Sequence, residues 1–271
     1  MTTLQKVIRN LAIAFAIYLS ISIIGGICAG LAGISFLFSD RESAAGETQV
    51  YPIAADISQL SLELSGARLQ IRTADHFSVE SNHKYLSVDT RDSELSIRET
   101  KKLFAVSPKG VTVILNVPEG FVFDKVSMET GAGQVNIDTL SADSLELSLG
   151  AGEVTIQNLT AGTRANIEGG AGEITIDGGL LHNLNLDMGV GELTMKSRIE
   201  GKSCLNFGIG EAKLTHLGSR EDYRIDLDKG ICEAKLEGVP MQDDSVYGSG
   251  ENRIEIDGGI GEINIGFSEG A

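Results

Sequence analysis

Hydrophobic and polar residues alternate along most of the chain, and the alternation resets at a recurring Gly-Ala/Val/Ile-Gly-Glu motif. The motif begins at Gly131, Gly150, Gly170, Gly189, Gly208, Gly230 and Gly259, at spacings of 19, 20, 19, 19, 22 and 29 residues. The first copy has Gln134 in place of Glu, and the sixth has Cys232 in place of the second Gly. Aligned on the first Gly, the copies sort into columns. Three residues before it stand Met128, Leu147, Ile167, Leu186, Leu205, Leu227 and Ile256. Four after it stand Val135, Val154, Ile174, Leu193, Ala212, Ala234 and Ile263, and six after it another apolar column from Ile137 to Ile265. One after it, Ala132, Ala151, Ala171, Val190, Ile209, Ile231 and Ile260 form a further apolar column.

Period-two alternation on both sides of the motif predicts two half-buried strands per repeat. The inward phase slips by one residue between the column at +1 and the column at +4, so a bend or bulge is expected there, with glycine supplying the backbone freedom. One repeat cannot bury its apolar face alone, but stacked repeats bury each column against its counterpart. The expected fold is therefore all-β: a parallel β-helix or solenoid of about seven coils of roughly 20 residues over 126–267. A β-sandwich is the alternative, which a fixed period with matching columns suits poorly. Residues 51–125 lack the motif but alternate, as in Leu60, Leu62, Leu64 and Val111, Val113, Leu115, Val117. They read as a strand-rich cap over the first coil, and Leu62 to Ile71, with Gly66-Ala67 inside, echoes the later coils. Residues 240–252 read as a Gly-rich insertion that interrupts the ladder and offers a recognition loop.

An anchor precedes these repeats. Leu11 to Phe38 is a run of 28 residues without a charged side chain, long enough to cross a hydrocarbon core of about 30 Å as a tilted helix. Lys6 and Arg9 place residues 1–10 in the cytoplasm and everything after the span outside it. Gly26 and Gly30 form a small-xxx-small pair of the kind that brings two spans together in a homodimer. Residues 39–50 read as a juxtamembrane tether. The expected location is thus the cell membrane, single-pass, with the C-terminal part extracytoplasmic.

Charge narrows the partners. Beyond the span stand 20 Lys and Arg against 38 Asp and Glu, a net −18. Such a surface repels nucleic acid and anionic headgroups and favours cationic partners or divalent metal. Three cysteines make no disulfide framework, and Cys204 and Cys232 fall in different columns, so both are expected as free thiols.

The run Val117-Pro118-Glu119-Gly120-Phe121, then Phe123-Asp124-Lys125-Val126 into Met128-Glu129-Thr130-Gly131-Ala132-Gly133, resembles the bacterial "putative adhesin" family of β-strand-repeat domains. Tyr247-Gly248-Ser249-Gly250-Glu251-Asn252 and the segment Ile254 to Glu262 are similar to that family's C-terminal coil. The resemblance spans about residues 57–267. It implies a β-helical domain behind one bacterial membrane span and carries over no catalytic residue.

The residues that bear on chemistry are the glutamates ending each motif: Glu153, Glu173, Glu192, Glu211, Glu233 and Glu262. Stacked, they lie about 4.8 Å apart, which invites cations between the carboxylates or leaves a solvated corner relieved by Lys213 and Lys235. The spacing does not match the Gly-Gly-x-Gly-x-Asp calcium repeat. His76, His83, His182 and His216 show no metal-ligand spacing, and no nucleophile elbow, phosphate loop or zinc-protease motif occurs. No cofactor and no catalytic role are expected. The sequence points to a non-catalytic adhesion or scaffold module contacting a cell-envelope component. An envelope-stress accessory partnering another membrane protein is the alternative, and a polysaccharide-active β-helix enzyme a more distant one.

Overall fold

A computed structural model describes residues 44–53, 56–100 and 110–268. The expected span at 11–38, the segment 1–10 and the Gly26/Gly30 pair lie outside the described residues. Among those described, no helix is long and apolar enough to cross a membrane.

The described chain is almost wholly β-strand, as the alternation predicts. In order it forms β1 (Ala45–Pro52), β2 (Gln59–Leu64), β3 (Arg68–Ala74), β4 (Ser78–His83), β5 (Leu86–Arg91), β6 (Glu94–Glu99) and β7 (Thr112–Pro118). A continuous extended stretch, β8 (Phe123–Ile176), contains the first three copies of the motif. Then come β9 (Gly179–His182), β10 (Leu184–Glu200), β11 (Lys202–Leu217), β12 (Tyr223–Asp228), β13 (Glu233–Leu236), β14 (Val239–Pro240), β15 (Ser245–Gly248), β16 (Asn252–Asp257) and β17 (Ile260–Ser268). The pairing is that of a solenoid. Strand β10 runs parallel to β8 on one side, Leu186 opposite Ile167, and to β11 on the other, Leu186 opposite Leu205.

The ladder does not follow sequence order at its ends. The last repeat, β16–β17, lies between the repeat carrying Gly208 and the repeat carrying Gly230. Ile256 is opposite Leu205 of β11 on one side and Leu227 of β12 on the other, and Ile263 is opposite both Ala212 and Ala234. The N-terminal end repeats the arrangement. Strands β2–β3 make a coil of their own, flanked by β6 and β7 on one side and by the start of β8 on the other. Leu62 is opposite Ile97 and Met128, and Leu69 opposite Val113 and Val135. The segment from Leu62 to Ile71 is thus an inner rung of the ladder.

Antiparallel strands close both ends. Strand β5 pairs with β6 and β4 with β7 at one end, and β15 with β12 and β14 with β13 at the other. This covers the polar edges that a stack of parallel coils leaves open. Residues 240–252 therefore do not interrupt the ladder, as the sequence suggested. They fold over its end so that the chain can re-enter one rung inward. Likewise, β1 begins inside the segment read as a tether, because its backbone finds partners on β4, with Tyr51 opposite Val79.

The columns three before, four after and six after the first Gly are all buried, none of their members more than 6% exposed. Each large aliphatic side chain so enclosed contributes roughly 1.5–3 kcal/mol. The column at +1 is a correction. It was expected to face inward, yet Ala151 is exposed, Ile231 is 61% exposed, and Ala171, Val190, Ile209 and Ile260 are only partly covered. The inward phase ends one residue before the motif, at Leu149 and Met188, and the chain turns its corner through the motif itself.

Candidate functional site: the outer carboxylate face

The corner depends on the glycines of the motif, both of which are present in every copy but the sixth. The second Gly takes positive φ, near 146°, 144°, 140°, 146° and 144° at Gly152, Gly172, Gly191, Gly210 and Gly261. A Cβ there would also strike the carbonyl of the coil below, at 1.9 Å from Gly172 O for Gly191 and 1.7 Å from Gly210 O for Gly261. Except at Gly230, which has φ 55°, the first Gly has ordinary φ but the same close approach, 2.5 Å from Gly170 O for Gly189. The residue that follows is thereby turned outward in every coil.

That residue is the glutamate, and the register aligns the column. Glu192 is opposite Glu173 and Glu211, and Glu262 is opposite Glu211 and Glu233. In space the order is therefore Glu211, Glu262, Glu233. Glu153, Glu173, Glu192 and Glu211 are exposed. Gln134, which replaces Glu in the first copy, donates from Nε2 to Glu153 Oε2 at 3.2 Å. At the far end Lys235 Nζ meets Glu262 Oε1 at 2.6 Å, and Asn264 Nδ2 donates to the same oxygen at 3.1 Å. The Lys235 contact holds the Glu262 carboxyl below its ordinary range. The lysine relief expected from sequence thus occurs at Lys235, toward the glutamate of the final repeat.

Among the described residues, the carboxylates that come within 4.8 Å of one another in a group of three are not in this column. They are Asp228, Asp243 and Asp244, all exposed, at the antiparallel end. Asp243 accepts from the Lys229 N–H at 3.0 Å and Asp228 from the Gly230 N–H at 3.2 Å, so these side chains fasten the end loop. Cys204 and Cys232 are free, and burial pushes the Cys232 thiol up to about 11.

A second bank, acidic except at Ser148 and Asn206, lies across the corner, two residues before each first Gly. Here Asn206 Nδ2 donates to Asp187 Oδ1 at 2.6 Å, and Asn185 Nδ2 donates to Asp187 Oδ2 at 3.1 Å and to Asn166 Oδ1 at 2.8 Å. Between this bank and the corner runs an open groove of about 580 Å³, lined by Glu168, Asp187, Asn206, Met188, Phe207 and the glycines beside them. Sequence reasoning missed this groove. Its only trace in the sequence is the change at the position before the motif from Gly169 to Met188 and Phe207.

The described residues thus form an all-β repeat protein, a solenoid with lines of carboxylates on either side of a glycine corner. The chain belongs to the DUF4097 Toastrack family, whose profile matches residues 56–265. Three solved structures are similar to it. A putative adhesin from Bacteroides fragilis is 15% identical, with a TM-score of 0.40, covering 81% of this chain and 96% of its own. A putative cell adhesion protein from Clostridium sporogenes is 16% identical, with a TM-score of 0.38, covering 82% and 99%. A putative lipid binding protein from Parabacteroides distasonis is 17% identical, with a TM-score of 0.37, covering 81% and 96%. No curated protein matches the chain.

Proposed function

We propose that this protein is a membrane-anchored, extracytoplasmic and non-catalytic module that binds a cell-envelope component through the outer face of its ladder. The observation that carries the reading is the in-register glutamate column, with Glu192 directly opposite Glu173 and Glu211. Like charges placed directly opposite one another on neighbouring strands are destabilising. Their repetition on an exposed corner is a cost that a cationic or cation-bridged partner removes on binding. The anchor is the charge-free run at 11–38, which supports holding this face at a membrane.

The test is co-sedimentation of the full chain, in detergent, with isolated cell-wall material in calcium and in chelator. The expected result is pelleting in calcium that is lost when Glu173, Glu192 and Glu211 are changed to Gln. No pelleting in either condition contradicts envelope binding by this face.

A further inference from the structure

The corner column that sequence alone places inward is a half-buried apolar ridge, most exposed at Ile231, and its spatial order gives it a gradient. Three alanines are followed by Val190, Ile209, Ile260 and Ile231 toward the C-terminal end. Val190 is opposite Ile209, Ile209 is opposite Ile260, and Ile231 donates its N–H to Gly259 O at 3.1 Å. Had the coils stacked in sequence order, Ile231 would lie between Ile209 and Ile260. Instead it stands at the end of the ridge, 61% exposed. Beside the ridge runs the groove of about 580 Å³, with Phe207, half-buried, in its lining. Glu168 and Asp187 bound it on one side, and Glu173, Glu192 and Glu211 stand on the other side of the ridge.

We infer that this ridge and groove form a docking surface for a cationic amphipathic helix of a partner protein. The inference rests on the binding reading above and names the chemistry of its partner. An apolar stripe flanked on both sides by carboxylates is complementary to a helix whose apolar face is flanked by Lys and Arg. The stripe runs across the strands, so its side chains recur about every 4.8 Å, close to the 5.4 Å pitch of an α-helix. Over the four coils from Val190 to Ile231 the mismatch accumulates to only about 2 Å, within the reach of flexible side chains. An extended peptide along the same line has no such match. A second copy fits poorly, because the outer part carries a net −18 and its described residues offer as helix only a single 3₁₀ turn at Arg220–Asp222. Nucleic acid and anionic lipid are repelled by both banks.

The test uses the full chain in nanodiscs of zwitterionic lipid and three labelled 18-residue probes. One is a Leu/Lys peptide patterned as an amphipathic helix, one a scrambled Leu/Lys peptide, and one the Leu/Glu counterpart. Binding is measured by fluorescence anisotropy, with empty nanodiscs as background. The patterned Leu/Lys peptide is expected to bind at least tenfold more tightly than either control. Ile209→Ser with Ile231→Ser should weaken it at least tenfold, and Glu173→Gln, Glu192→Gln and Glu211→Gln together should weaken it and flatten its salt dependence. These side chains are exposed or half-buried, and unchanged circular dichroism and melting establish that the variants fold. Ile231→Ser alone, at the most exposed position, should still lower affinity measurably.

Three results overturn the inference: binding no better than empty nanodiscs, equal binding of the scrambled peptide, or indifference to the isoleucine variants. Concentration-dependent self-association lost in those variants also overturns it, by assigning the ridge to a second copy. Wall pelleting that survives in the isoleucine variants separates this inference from the envelope reading. Peptide binding without wall pelleting sinks the envelope reading and leaves this one standing.

Discussion

Glycine 191 and Gly120 both take positive φ, 140° and 72°, yet they are predicted to tolerate alanine very differently. A Cβ at Gly120 meets nothing within 4 Å, so Gly120→Ala should cost only the left-handed backbone penalty of about 1–2 kcal/mol. At Gly191 the added atom would lie 1.9 Å from Gly172 O, which obliges two coils to separate. Chemical denaturation of Gly191→Ala should show a loss of roughly 3 kcal/mol or more. Near-equal midpoints for the two variants would contradict the corner described above. His216 sets a second residue-scale expectation. It is buried beside Ser197 of β10, stacks on Tyr223 with centroids 5.1 Å apart, and faces Phe267 at 5.8 Å. Its Nε2 has no hydrogen-bond partner among the described residues, and burial pushes its pKa down from 6.5 to about 4. The unfolded chain therefore takes up this proton at higher pH than the folded one. Stability is complete above pH 6.5 and falls as pH drops toward 4, by on the order of 3 kcal/mol. Melting temperatures at pH 7 and pH 4.5 should draw together in His216→Phe relative to the parent chain. An unaltered acid-induced drop would place the titrating group elsewhere. Glu99, at the other end, is shifted in the same direction. Burial raises its carboxyl, but hydrogen bonds from His83 and Ser65 outweigh that and hold it low, so its contribution also fades only as acid is added.

Elements at the ends of the ladder carry the next expectation. In a simple stack of repeats the terminal coils fray first. Here the terminal coils in sequence, β2–β3 and β16–β17, are each hydrogen-bonded on both sides, and the exposed rims are β1, β5, β14 and β15. Hydrogen exchange should therefore protect the amides of 252–268 about as well as those of β10 and β11, while 239–248 exchanges early. Early exchange across 252–268 would contradict the inserted coil. This is also where the sequence was silent. The three buried columns were legible because a period of about twenty residues repeats the same apolar positions, and any stacking order buries them equally well. That equivalence is why the order itself was hidden: Ile256 fits Leu205 and Leu227 as readily as Leu227 fits Leu205. The phase at the corner was misassigned for a related reason. Ala151, Val190 and Ile209 are apolar, and apolar residues at a regular position read as core until the glycine beside them is seen to turn the chain. The glutamates following the second Gly were legible as a column, since the glycines that the bend requires mark the same position in almost every repeat.

At the scale of the molecule, the insertion at each end makes one continuous ladder whose faces carry charge in lines. With a net −18 over residues 39–271, any partner held by these lines should dissociate progressively as salt rises through the range where the screening length falls from about 10 Å to about 3 Å. Binding to wall material or to a basic helix that is indifferent to salt would argue that the lines of charge are only a solubilising coat. The continuity of those lines rests on Asn264 and Glu262 lying between the coils of Lys213 and Lys235, since Lys213 is opposite Asn264 and Asn264 opposite Lys235. Cysteine pairing in the full chain reads this directly. Neighbouring rungs lie about 4.8 Å apart, inside the range of about 4.4–6.8 Å that a disulfide spans, whereas rungs two apart lie outside it. Lys213→Cys with Asn264→Cys, and Lys235→Cys with Asn264→Cys, should each form an intrachain disulfide on mild oxidation, while Lys213→Cys with Lys235→Cys should not. Ready linkage of 213 to 235 without linkage of 213 to 264 would mean that the coils stack in sequence order, and the continuous face described here would be wrong.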